Sequence, residues 1–532
     1  MVANKHFTMT GNLKPGRSAF DLSHDRKFTC DMGQLIPILA ENCYPGDSFT
    51  IGAQVVVRMQ PLVAPVLHDI DVFTHYFFVP NRLMMTVALG DDSEWFEFIT
   101  GGYEGDADDE LSDAACPLWT VTGAAMPDGI NDNGIGSLWD YFGFPTGIIP
   151  TGAMPLDFPK RAYNMVWNWY YRDEFVQDEI DITTSEMILY RNWAKDYFTS
   201  AAIDTQLGLA PALPVSGTAT AVWAGDLTLP LRMEGNNSYT ISGDKGAGNP
   251  GLITDFKVTG DTTARADAAL RSFVLKTDLD SNTIDLSSAT TFDVQDLRLT
   301  LRIQEWMERN MRAGIRPDEY IQAHFGVRSK DYRIDKPEYI GGTKQKLIVS
   351  EVLNQADAGN DPVGEMSGHG ISADSQYAGK YFVEEHGVII GIMSVIPRAD
   401  YQEGMERMWW KDTRYDWYVP EFANLTEQEI RQGELYASAV EADNDEIFGY
   451  QACWDEYKTR KNVICGQMRS TFDYWHMSRQ FGAKVELTSD FLKCVPRDDC
   501  FAVPSEPQLI VQVGNMVKAI RPMPYIAIPS IV

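Results

Sequence analysis

Basic residues are scarce in this chain. Its 45 Lys and Arg stand against 75 Asp and Glu, a formal net charge of −30. A surface of that sign repels nucleic acid on average, so contact with it must run through a local basic patch or a basic partner. Cysteine is sparse too. Cys30, Cys43, Cys116, Cys453, Cys465, Cys494 and Cys500 are odd in number, scattered and never arranged as CxxC. That argues against a zinc ribbon and for reduced thiols in a cytosolic product. The longest apolar run, near Val388–Pro397, falls short of the roughly 20 residues a bilayer span takes. Met1–Phe20 has no apolar signal core. Neither membrane insertion nor signal-led export is expected. Catalytic signatures are missing as well: no GxxxxGK[ST] phosphate loop, no GxSxG elbow and no HExxH zinc site. The eight histidines are scattered, and no acid pair stands out for glycosidase chemistry. We expect no enzyme, no metal and no cofactor.

What is present points to β structure. The 27 Pro, 42 Gly, 25 Phe, 23 Tyr and 13 Trp suit a loop-rich β protein with large buried rings. A length of 532 residues allows three or four domains at roughly 150 residues each, or one β fold with long insertions. The Tyr44–Asp47 segment reads as a turn, with Pro45 and Gly46 at its centre. Ser48–Met59 then alternates Phe49, Ile51, Val55, Val57 and Met59 as a half-buried strand. Beyond the Pro61–Pro65 corner, Asp69–Val79 repeats the pattern. The Val388–Ile396 stretch is apolar throughout, as in a strand buried on both faces. Gln508–Ile520 closes the chain as a last strand.

Helical signals are few. Gln295–Arg312 puts Leu299, Ile303, Trp306 and Met307 on one face, extended by Met311, with Gly314 as a stop. Arg161–Gln177 carries Tyr163, Trp167, Tyr170 and Tyr171, either as core or as a platform for stacking bases. The acidic loop Gly101–Asp113 fails the EF-hand spacing and reads as a solvated surface. Ala210–Phe292 is rich in Gly, Thr, Ser, Asp and Asn and poor in aromatics, which marks an inserted surface subdomain.

Two kinds of contact residue emerge. Met1–Phe20 carries Lys5, Lys14 and Arg17 without an acid, either a basic arm or a frayed end. The stretch Arg298–Lys336 concentrates basic residues, including Arg302, Arg309, Arg312 and Arg316. These seven are the candidate DNA contacts, with subunit-interface arginines as the competing reading of the second group. Trp409, Trp410, Arg414 and Trp417 belong to a dense Trp/Arg/Tyr segment, the residue types that anchor interfaces, with core packing as the alternative.

Several collinear motifs resemble the major capsid proteins of gokushoviruses, small phages of the Microviridae. They include Phe20-Asp21-Leu22-Ser23-His24, Thr29-Cys30-Asp31-Met32-Gly33 and Pro45-Gly46-Asp47-Ser48-Phe49. Pro61-Leu62-Val63-Ala64-Pro65 and Phe77-Phe78-Val79-Pro80-Asn81-Arg82 follow, then Leu301-Arg302-Ile303-Gln304-Glu305-Trp306 and His324-Phe325-Gly326-Val327-Arg328-Ser329. The resemblance implies a mainly β chain: an eight-stranded antiparallel jelly-roll sandwich with long loop insertions containing some helices. On that reading residues 1–27 form the basic arm, 28–209 and 293–532 the jelly-roll core, and 210–292 a spike at the threefold axes. It further implies a T=1 icosahedral shell of sixty copies, with pentameric intermediates, around circular single-stranded DNA. The implied partners are other copies of the chain, the DNA, a small basic internal protein, a scaffolding protein and a host surface receptor. The implied location is the virion, assembled in the host bacterial cytoplasm. A lectin-like adhesin and a glycan-cleaving enzyme are the alternatives from other functional classes.

Overall fold

The computed structural model describes residues 16–85, 93–100, 116–150, 152, 154–211, 228–232, 238–242, 257–259, 294–353 and 366–526. Lys5, Lys14 and the acidic loop 101–113 lie outside these residues, as does most of 210–292. The chain divides into two units, Gly208–Met307 and the remainder.

The larger unit is built on one antiparallel sheet. Its strands are β1 (Ser18–Asp21), β2 (His24–Cys30), β3 (Ile36–Cys43), β4 (Ser48–Met59), β5 (Ile70–Pro80), β6 (Glu338–Leu353), β7 (Met366–Phe382), β8 (Gly387–Pro397) and β9 (Leu509–Arg521). The order across the sheet is β1-β9-β4-β7-β6-β5-β8-β3, with β2 also on β9. β1 pairs Lys518–Arg521 and β2 pairs Leu509–Asn515, so the two act as one interrupted edge strand. The sheet therefore has eight strand positions, and it curls into the two-layered sandwich the resemblance implies. β7 makes the corner: Ile371–Phe382 lies along β4, while Met366–Ile371 lies along β6.

Alternation explains β4. Phe49, Ile51, Val55, Val57 and Met59 are buried between the layers, facing Val511, Val513 and Val517 of β9 within the same core. β8 is buried at every position. Ile389, Met393 and Val395 enter the core between the layers, whereas Val388, Ile390 and Ile392 point to a second core on the outer face. That second core is closed by helix α1 (Phe158–Val166) and by Trp119 and Trp139. β5 likewise sends Phe78 inward and Phe77 outward.

The aromatic stripe after Arg161 is core. Tyr163 is fully buried, and its hydroxyl donates to the Leu35 carbonyl at 2.8 Å and accepts from the Leu189 amide at 2.9 Å. Trp167 and Tyr171 are buried in the turn of π-helix that continues α1.

The free edges of the curled sheet meet across a seam of side chains. Asn515 Nδ2 on β9 donates to the Ile38 carbonyl of β3 at 2.8 Å. Arg26 on β2 and Arg521 on β9 reach the carbonyls of Pro37 and Asn42. Tyr141 braces β2 beside this seam, accepting at its carbonyl from Arg26 (2.7 Å) and donating its hydroxyl to the Thr29 carbonyl (2.7 Å).

Helix α2 (Val294–Ala313) covers the expected helix and stops at Gly314, whose φ of +103° suits glycine. Its apolar face is less covered than its periodicity suggests: Leu299 and Trp306 are exposed, and Met311 is buried. Helix α3 (Pro317–Phe325) follows with no buried residue. In the unit Gly208–Met307, Thr228–Arg232, Ser238–Ser242 and Lys257–Thr259 form a three-stranded antiparallel sheet.

Candidate assembly surfaces and nucleic-acid contacts

Residues 398–495 form loops and short helices around a small core of Phe198, Tyr401, Ile430, Leu435, Phe448 and Phe491. One side of this lobe is organised by buried charge. Glu434 is 2% exposed, yet it accepts from Arg407 at 3.0 Å and from the Tyr197 hydroxyl at 2.9 Å. Burial pushes its carboxyl above the usual range, against the pull of the Arg407 guanidinium. Lys411 pairs with Glu456 at 3.1 Å with both side chains buried. Such satisfied buried pairs fix geometry more than they add stability.

On this base stand the aromatics singled out in the sequence. Trp409 is 75% exposed and Trp417 60%, beside exposed Tyr415 and Tyr418. Trp410 is half-buried under the Arg431 guanidinium, 5.3 Å from its ring centroid. Arg414 lies exposed over Tyr415. An open cavity of about 210 Å³ sits among Trp410, Tyr415, Trp454, Lys411, Arg431 and Glu456. Core packing thus does not account for Trp409 or Trp417. An exposed aromatic cluster on a rigid polar base has the chemistry of an interaction surface.

The basic candidates are dispersed. Arg17 donates to the Gly46 carbonyl and lies over the Phe382 ring, which pins this point of the N-terminal segment to the Tyr44–Asp47 turn. Arg302 is exposed and pairs with Glu305 on its own helix. Arg309 lies on the same helix, α2. Arg312 is tied to Glu427 and to the Thr426 carbonyl. Arg316 is mostly buried and donates to the carbonyls of Asn168 (3.2 Å) and Arg172 (3.0 Å). Arg312 and Arg316 therefore hold this unit together. Their number in the sequence gave no hint of that, because their acceptors lie on distant segments.

Sequence reasoning also missed a carboxylate pair. Glu174 and Glu319 both converge on Gly314, where a Cβ would lie 2.3 Å from one carboxylate and 2.1 Å from the other. Burial, followed by the Glu174 charge, pushes the Glu319 carboxyl up to about 7. His75 is shifted the opposite way, to about 4, by burial and then by Arg191; its Nδ1 lies 2.8 Å from the Tyr171 hydroxyl. All seven cysteines are free. Among the described residues no cluster of three or more His, Cys, Asp or Glu could hold a metal, and no helix is long and apolar enough to cross a membrane.

Comparison with known proteins gives a consistent result. A family model described as capsid protein (F protein) matches residues 11–531. Capsid protein VP1 of Chlamydia phage 1 is 31% identical, over 100% of this chain and 98% of its own length. Capsid protein VP1 of Bdellovibrio phage phiMH2K is 29% identical, over 99% and 98%. Capsid protein VP1 of Spiroplasma virus 4 is 29% identical, over 98% and 96%.

Proposed function

The chain belongs to the phage capsid protein (F protein) family, and from that premise we propose that it builds a T=1 icosahedral shell of sixty copies around circular single-stranded DNA. It is a structural virion protein of a small phage and not an enzyme. The observation that carries the shell reading is the exposed Trp409–Tyr418 cluster, set on a lobe whose own ion pairs are internally satisfied. Closed symmetry repeats such a contact around the shell, so each copy of it needs to be only modestly favourable.

The inserted stretch 210–292 serves in this reading as the threefold spike and as the host-receptor surface. It lies between β5 and β6 and is rich in small polar residues. Arg302 is paired with Glu305 on its own helix, and Arg312 and Arg316 are tied to other segments of the chain. Lys5 and Lys14, together with a separate small basic protein, are therefore the favoured neutralisers of packaged DNA. A scaffolding protein and pentameric intermediates complete the assembly route, in the host cytoplasm.

Sedimentation followed by negative-stain imaging of the expressed chain tests the reading. Uniform icosahedral particles or pentamers are the expected result. A chain that stays monomeric even alongside its phage's other assembly proteins would overturn it.

A further inference from the structure

We propose that the exposed face of the layer formed by β1, β2, β9, β4 and β7 is a seat for single-stranded DNA, with Lys27, Arg58, Lys380 and Lys518 as its phosphate contacts. The inference rests on the shell reading and adds a fixed contact to the N-terminal lysines.

The two layers of the sandwich differ in what covers them. The outer face of β8 is closed by α1, Trp119 and Trp139. The outer face of the other layer lies open. Along β9 it shows Ile510, Gln512, Met516, Lys518 and Ile520, all exposed, while Leu509, Val511, Val513 and Val517 are buried in the core.

Register gathers the cations on this face. Arg58 of β4 pairs with Ile510, and Lys27 of β2 pairs with Gln512 from the other side of β9. Thr50 of β4 lies between Lys518 and Lys380, paired with both. Paired residues point to the same side, so the four form two couples. At about 4.8 Å between strands, the Cα atoms of each couple are about 10–12 Å apart. The couples stand about 20–26 Å apart along β9, at about 3.3 Å per residue.

Their charge is unspent. All four are exposed, and among the described residues none is engaged in an ion pair or a side-chain hydrogen bond. Lys160, Arg407 and Lys411, by contrast, are each tied to a buried carboxylate. The acids of the face are Asp21, which is opposite Lys518 and held by Ser23, and Asp25, which accepts from Gln512. Asp374 of β7 pairs with the buried Val55 and so points to the other side. Four cations against two acids leave this face positive on a chain of net charge −30. Between the couples stands Tyr377, 63% exposed and opposite Gly52. At the Lys380 end Arg17 lies over the exposed ring of Phe382. Free cations with open aromatic rings among them are the chemistry of single-strand binding, phosphates on the charges and bases on the rings.

The test measures fluorescence anisotropy of a labelled oligothymidylate, about 30 nucleotides long, with the full-length chain over a range of salt concentrations. The face variant combines Lys27→Gln, Arg58→Gln, Lys380→Gln and Lys518→Gln. A control combines Lys195→Gln, Lys346→Gln, Arg460→Gln and Lys484→Gln, which removes the same charge from exposed sites elsewhere. The face variant is expected to lose affinity on the order of tenfold or more at low salt. Its log–log salt slope should be shallower by about 3, at roughly 0.7 per phosphate contact. The control should keep the native slope. A native chain without affinity at low salt overturns the proposal, as does a control that loses as much as the face variant. A face variant that binds the oligonucleotide like the native chain yet forms no particles also overturns it, and makes the face a joint with an acidic patch of a neighbouring copy. If the native chain binds the oligonucleotide but forms no particles even alongside its phage's other assembly proteins, the shell reading fails while the DNA seat stands.

Discussion

Replacing Glu319 by glutamine is expected to remove a pH dependence from the docking of helix α3. That helix buries no residue of its own, so polar contacts hold it. Arg316 reaches two carbonyls of the segment after α1, Lys336 pairs with Asp318 at 2.6 Å, and Glu319 lies against Glu174. Two full negative charges about 4 Å apart repel by about 4 kcal/mol at an effective dielectric of about 20. Arg316, 3.7 Å from Glu174 and 3.6 Å from Glu319, relieves part of this, and a proton held on Glu319 relieves the rest. The Glu319 carboxyl is raised from 4.5 to about 7, so the docked state binds its proton more tightly than the open state. The stabilisation is therefore complete below about 4.5 and is lost as pH rises through about 7. The full shift corresponds to about 3 kcal/mol. A third of the side chain faces solvent, which brings the expected effect to about 1–2 kcal/mol. Hydrogen exchange of the Pro317–Phe325 amides, corrected for intrinsic rates, should fall in protection by roughly 5- to 30-fold between pH 5 and pH 8. The glutamine variant should show no such fall. His324, whose Nε2 lies 2.6 Å from Asn310, is present in both proteins, so the difference isolates Glu319. Equal slopes in the two proteins would refute the reasoning.

Other outcomes follow from the same structure. Trp409→Ala with Trp417→Ala should leave the melting of the unassembled chain within about 0.5 kcal/mol, because both rings are exposed, yet lower particle yield on a sedimentation gradient at least tenfold. Tyr163→Phe should cost about 1–3 kcal/mol in urea denaturation, since it leaves the buried Leu35 carbonyl and Leu189 amide without their partner. Asn515→Ala should cost a similar amount by removing the donor to the Ile38 carbonyl, with faster exchange along β3 as its local signature.

Legibility in the sequence tracked the range of the interactions. β4 was readable because alternation is local and its inward residues all meet one core. β8 was readable because a strand covered on both sides needs apolar residues at every position. Helix α2 was placed by its period and its glycine stop, but periodicity reveals a face and not what covers it, so the exposure of Leu299 was not foreseen. Trp409 and Trp417 were marked by residue type, and only the structure separated them from Trp410 beneath Arg431. From the sequence Arg316 reads as a DNA-contact or interface arginine, because its acceptors at Asn168 and Arg172 are far away in the chain. The Glu174–Glu319 pair and the seam at Asn515 were invisible for the same reason.

The seam also has a mechanical meaning. The sandwich resembles a clasped book. Its spine is the β6–β7 corner, where backbone ladders run without a break, and its clasp is a few side chains from Arg26, Asn515 and Arg521. Each clasp bond contributes about 1 kcal/mol, whereas opening the spine would break a cooperative ladder. Parting the pages would also open the core of Phe49, Ile51, Val55, Val57 and Val513 between them, so the clasp serves to fix the register of the rim while the buried core holds the layers together.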